Sequence, residues 1–187
     1  GTTALHAAIE ALGLGPGDRV VTTPFSFISS SNTIRLAGAE PVFADISRES
    51  FNLDPDSVRK IAEEQDVDAI LAVHLYGLPC DMDALSSIAA DHDLHLIEDC
   101  AQAHGATYNG QRVGSFGDVG CFSFYPTKNM TTGEGGMVTT DSEAVADRVA
   151  SFVNHGRPPE GGYEHVRLGH NFRMTSIAAA IGNEQLR

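Results

Sequence analysis

Short apolar, β-branched runs alternate with stretches of helical periodicity along the whole chain, and this alternation restricts the fold more than any other feature. Arg19 to Thr22, Glu40 to Phe43, Ala69 to His74 and Leu94 to Glu98 read as strands. Thr2 to Leu12, Ser29 to Leu36, Asp54 to Glu64 and Asp81 to Asp91 carry helical spacing, closed by glycine or opened by a capping aspartate. Val119 to Phe124 and Met137 to Thr140 predict two further strands around a loop rich in threonine and glycine. Helices are expected at Ser142 to Val153 and from Thr175 onward. Alternation of this kind implies an α/β fold, a mostly parallel sheet sandwiched by helices. The segments 103–118 and 154–173 exceed ordinary connection lengths and are expected to be functional loops.

The 187 residues suffice for one well-buried domain and fall short of two. A net charge of -13 argues against nucleic acid as the main partner. No apolar run reaches membrane-spanning length and no leader opens the chain, so a cytoplasmic protein is expected. Cys80, Cys100 and Cys121 lack metal-ligand spacing and read as buried thiols of a reducing compartment. His92 and His95 have no suitably spaced acid, so no metal is expected. Gly13-Leu14-Gly15-Pro16-Gly17 does not have the spacing of a dinucleotide fingerprint. The chain begins without methionine and ends inside a helical pattern, which reads as a fragment.

Asp99 follows a buried strand, where open α/β sheets gather ligands. A carboxylate there can hold a protonated pyridine nitrogen, although alone it would equally suit a helix cap or a metal ligand. Strand alternation sends Cys121 and Ser123 to one face and Phe122 and Phe124 to the other, leaving the Ser123 hydroxyl near the strand end. Lys128 lies in the glycine-rich stretch that follows, with room to meet a carbonyl cofactor and form an imine. A single loop lysine is more often a solvated one. Here the chain otherwise avoids lysine, having only Lys60 besides, and the glycines suit close backbone packing. Gly1-Thr2-Thr3-Ala4 offers helix N-terminal N–H groups and hydroxyls to an anion, or is ordinary capping. Phe27, just beyond a strand, could stack on a planar ring or sit in the core.

Together these segments resemble the nucleotide-sugar aminotransferases of the DegT/DnrJ/StrS type, which are fold-type I pyridoxal-phosphate (PLP) enzymes. The resemblance runs essentially end to end. It includes GTTAL, PFSFISSSNTIRLAGAEPVFADI, VHLYGLPCDMDAL, EDCAQAHGA, SFYPTKNMTTGEGGMVTT and GHNFRMTSIAAAIGNEQL, in the family's order. It implies that residues 1–187 are an incomplete PLP-binding large domain, without the family's N-terminal segment and C-terminal small domain. It also implies that Lys128 is the Schiff-base lysine and Asp99 the partner of the pyridinium nitrogen. Gln102 would contact the ring hydroxyl, Thr2, Thr3 and Ser123 the phosphate, and Phe27 the ring face. Asn171 would reach the phosphate of a neighbouring subunit in a homodimer. The implied reaction passes an amino group, typically from glutamate, to a keto-sugar on a nucleotide. A PLP-dependent dehydratase or epimerase is the first alternative, and a non-catalytic binding or regulatory module the second. Retention of Lys128 favours transamination.

Overall fold

The computed structural model describes residues 1–186. Six strands form one sheet in the order β2-β1-β3-β4-β7-β8. These are β1 (Arg19–Thr22), β2 (Glu40–Phe43), β3 (Ala69–Val73), β4 (His95–Asp99), β7 (Val119–Ser123) and β8 (Gly136–Thr139). All neighbours pair in parallel except β7 and β8. The mostly parallel α/β architecture expected from the alternation is therefore the observed one.

Period-two burial divides the core between the two faces of the sheet. Ala69, Leu71 and Val73 of β3 join Ile97, Val119 and Cys121 beneath α1 (Thr2–Leu12) and α2 (Ser29–Leu36). Ile70 and Ala72 turn the other way, joining Leu96 beneath α3 (Pro55–Glu64) and α4 (Met82–Asp91). With β3 buried at every position, both faces of the sheet are covered. Two more helices follow β8, α5 (Glu143–Phe152) and α6 (Ser176–Gln185). Side chains cap most helices as the sequence suggests: Asp54 accepts from Asp56 N, Asp81 from Ala84 N, and Thr175 from Ala178 N.

Several expectations shift: β3 ends at Val73 and not His74, β7 at Ser123 and not Phe124, and β8 spans Gly136–Thr139 in place of Met137–Thr140. Leu94 N donates to the Ala89 carbonyl after the left-handed Asp93, so β4 starts at His95 and runs on to include Asp99. The 103–118 segment holds a hairpin, β5 (Thr107–Tyr108) and β6 (Gln111–Arg112), turned by Asn109 and Gly110, both at positive φ. Among the described residues, no helix is long and apolar enough to cross a membrane.

The chain passes from β1 to β2 on one side and then to β3 on the other, so the winding reverses at β1. The carboxyl ends of β1 and β3 therefore flank the crevice where such sheets take ligands.

Candidate active site

A cavity of about 660 Å³ opens at those carboxyl ends. Thr2 and Thr3 enter it from the start of α1, Phe27 from the loop after β1, and Asp99 from the end of β4. Gln102 lines it just beyond Asp99, Ser123 from the end of β7, and Lys128 from the loop that follows β7. A second cavity of about 550 Å³, on the side of α1 facing α5, holds neither Lys128, Asp99 nor Ser123.

Asp99 is buried, and its Oδ2 accepts from the Ser30 hydroxyl at 2.8 Å while Oδ1 accepts from Ala101 N at 3.1 Å. Burial lifts its carboxyl above the usual range, against the pull of those two donors and the more distant charge of Lys128. A buried carboxylate that is short of positive charge favours a neighbour carrying an N–H⁺ group. The position thus suits a protonated ring nitrogen.

The start of α1 has no side-chain cap and no acidic residue in its first turn. Its free N–H groups face the cavity beside the Thr2 and Thr3 side chains, a combination suited to an anion. A Cβ on Gly1 would lie 2.7 Å from the Ser123 Cβ, so glycine is what lets the helix start abut Ser123. Thr2 and Ser29 hydroxyls meet at 2.8 Å, tying the starts of α1 and α2 together.

Gln102 accepts from Tyr76 N through Oε1 at 2.6 Å, which commits its amide oxygen and leaves the donor end to offer the cavity. Tyr76 holds a left-handed φ of 56° to make this contact. Phe27 is 69% exposed, a ring presented at the cavity rather than used in the core. Lys128 is half-buried in its loop, with its backbone N donating to the Tyr125 carbonyl at 3.0 Å.

Asn171 lies elsewhere. It is exposed, forms an isolated bridge with Asn154, and does not line the cavity of its own chain. Neither long segment, 103–118 or 154–173, lines that cavity either.

Glu98, the neighbour of Asp99, is the buried charge that the sequence reading passed over. Its carboxylate accepts from Gly114 N, Phe116 N and Gly117 N at 2.8, 2.8 and 2.9 Å and meets His74 Nε2 at 3.0 Å. His74 Nδ1 accepts from Cys80 N at 3.1 Å, so the ring is the neutral tautomer with its proton on Nε2, donated to Glu98. Burial pushes the Glu98 carboxyl up, but the His74, Gly117 and Gly114 donors outweigh it and hold it below the usual range. His74, Glu98 and Cys100 bring three donor atoms within 4.8 Å of one another. The carboxylate and both ring nitrogens are already engaged, and burial pushes the Cys100 thiol well up. The trio therefore knots the end of β4 to its neighbours behind Asp99. Ser30, which supports Asp99 from α2, was also passed over; the run Ser29-Ser30-Ser31 at a helix start was its one signal.

A sequence model of the DegT/DnrJ/EryC1/StrS aminotransferase family matches residues 1–187. GDP-perosamine synthase of Vibrio cholerae is 44% identical over 186 residues, covering 100% of this chain and 50% of that protein. An aminotransferase from Psychrobacter cryohalolentis superposes with a TM-score of 0.92 at 42% identity, covering 99% of this chain and 49% of its own. NtdA of Bacillus subtilis, whose crystal structure has the cofactor PMP bound, gives 0.90 at 35% identity, with 99% and 42% covered. The chain spans about half the length of the curated relatives it matches.

Proposed function

The chain belongs to the DegT/DnrJ/EryC1/StrS aminotransferase family, and on that premise we propose that it is the cofactor-binding large domain of a PLP-dependent aminotransferase. The observation that carries this reading is the convergence of Thr2, Thr3, Phe27, Asp99, Gln102, Ser123 and Lys128 on one cavity. The proposed substrate is a nucleotide-linked keto-sugar, supported by the likeness to GDP-perosamine synthase. The proposed amino donor is glutamate.

Bound in the cavity, PLP supplies an electron sink for the carbon that carries the amine. The residues divide the remaining work. The α1 N-terminus, Thr2, Thr3 and Ser123 would hold the phosphate. Asp99 keeps a proton on the ring nitrogen, and Gln102 offers an N–H to the ring oxygen. Phe27 covers one ring face and excludes water from it. Lys128 would be the residue whose amine meets the cofactor carbonyl, and its Nζ, as a neutral base, would accept and return the proton that moves during transfer. Addition of glutamate alone to the PLP-loaded full-length protein should release one equivalent of 2-oxoglutarate per site. When a nucleotide-linked keto-sugar is then added, an aminotransferase should yield one equivalent of amino-sugar per site, and a dehydratase or epimerase would yield none.

The second part of the proposal is a cytoplasmic homodimer in which Asn171 serves the partner's site, since it stands away from the cavity of its own chain. A hydrogen bond to a charged group is worth roughly 1.5–3 kcal/mol, so Asn171→Ala should weaken PLP binding by about one to two decades. Mixing Lys128→Ala and Asn171→Ala proteins should restore activity after subunit exchange. Each mixed dimer then holds one site with both defects and one with neither, giving up to about half the unaltered activity. No recovery despite proven exchange would assign Asn171 to its own chain.

A further inference from the structure

Helix α6 packs against the loop that carries Lys128. Gly182 is its buried residue, and a Cβ there would lie 3.2 Å from both Met130 Cε and Thr132 Cγ2. The helix backbone is thus seated against residues 130–132. Gln185 stands three residues further on, along the same face.

The Gln185 side-chain amide matches a peptide group in its donors and acceptors. Its Oε1 accepts from Thr131 N at 2.9 Å, and its Nε2 donates to the Thr131 carbonyl. Both ends of one residue's main chain are held by one side chain, as a neighbouring strand would hold them. From the other side, the Phe124 carbonyl accepts from the Thr131 hydroxyl and from Thr132 N, each at 3.0 Å. Thr131 Oγ1 in turn accepts from Gly133 N at 3.0 Å. The loop therefore leaves the end of β7 at Phe124 and is closed at Thr131, pinned between that strand and α6. Lys128 lies between the two fixed points, in a stretch without regular secondary structure.

We propose that Gln185 is a positioning residue for Lys128: by clamping the Thr131 peptide, it holds the lysine loop in register with the cavity. This rests on Lys128 being the residue that takes the cofactor. Without the clamp, the loop keeps its attachment to Phe124 but loses its outer support. Lys128 Nζ then spends less time in the geometry that meets the cofactor carbonyl. Gln185→Glu is the informative partner to Gln185→Ala, because a carboxylate still accepts from Thr131 N but cannot donate to the Thr131 carbonyl.

The test uses the full-length protein and two readouts. One is hydrogen exchange of residues 129–133 without cofactor. The other is the rate at which added PLP becomes borohydride-fixable on Lys128. Two neutral hydrogen bonds are worth about tenfold or somewhat more, so Gln185→Ala should speed the exchange and slow the fixation by about tenfold each. Gln185→Glu keeps the acceptor for Thr131 N but sets a carboxylate oxygen against the Thr131 carbonyl, so it should also speed the exchange and slow the fixation, and it stands in if the alanine variant does not fold. Faster exchange with unchanged fixation would mean that Gln185 anchors α6 and not the lysine, and would overturn the proposal. So would two unchanged readouts. Failure of the unaltered protein to fix PLP at Lys128 would overturn the cofactor reading as well, which separates the two failures.

Discussion

Borohydride reduction of the PLP-loaded full-length protein is expected to fix a pyridoxyl group on Lys128. Lys128→Ala is expected to abolish the fixation and to cut transamination by about three orders of magnitude, the usual range for losing a positioned general acid–base. The chain itself provides the control. Lys60 is its one other lysine, and it sits exposed on α3, on the sheet face away from α1. Lys128 is half-buried at the cavity, which it lines together with Tyr125, Thr127, Glu134 and Gly135. Peptide mapping after reduction decides the matter, and label on Lys60 would sink the assignment. An alanine variant that keeps the unaltered turnover would do the same. Lys128→Arg should not rescue, since guanidinium stays protonated and can neither attack a carbonyl nor carry the proton as a neutral base.

Asp99→Asn is expected to leave PLP binding within about tenfold and to slow proton abstraction by roughly two to three decades, the range for removing one preorganised electrostatic partner. The substitution keeps the shape of the side chain and can keep the acceptor contact with Ala101 N, but it removes the charge. A ring nitrogen facing an amide has less reason to stay protonated, and an unprotonated ring is a weaker electron sink. The measurement is single-turnover exchange of the glutamate α-proton, because steady-state rates mix in product release. Ser30→Ala serves as the comparison. It removes one neutral donor to the same carboxylate and should cost far less, about a few-fold. A near-normal exchange rate in Asp99→Asn would remove Asp99 from the chemistry.

The strands β1 and β2 and the helices α1 and α2 match their sequence-based bounds, because apolar periodicity there is cut off by glycine or proline close at hand. Boundaries slipped where a local hydrogen bond took over from periodicity. Leu94 belongs to the closure of α4 through the Ala89 carbonyl, and the β4 ladder gains Asp99 by pairing with Val73. The β5–β6 hairpin was missed although Asn109-Gly110 announces it, since two-residue strands show no alternation to read. Its purpose could not be read either. The turn brings Gly114, Phe116 and Gly117 back onto Glu98, and nothing local marks backbone N–H groups as donors to a distant carboxylate.

The sequence by itself determined the layered α/β architecture, through hydrophobic periodicity, and the identity of the candidate site residues, through the order of the motifs that carry them. Only the tertiary structure decided that seven of those residues share one cavity while Asn171 stands apart. Contacts such as Ser30 with Asp99 join positions 69 residues apart, and their geometry is set by the parallel crossovers that bring strand ends together. The same holds for the protonation of the site. The raised pKa of Asp99 and the lowered pKa of Glu98 follow from burial and from donors on separate elements. An ionisable side chain in sequence has its ordinary pKa, and only the packed environment moves it.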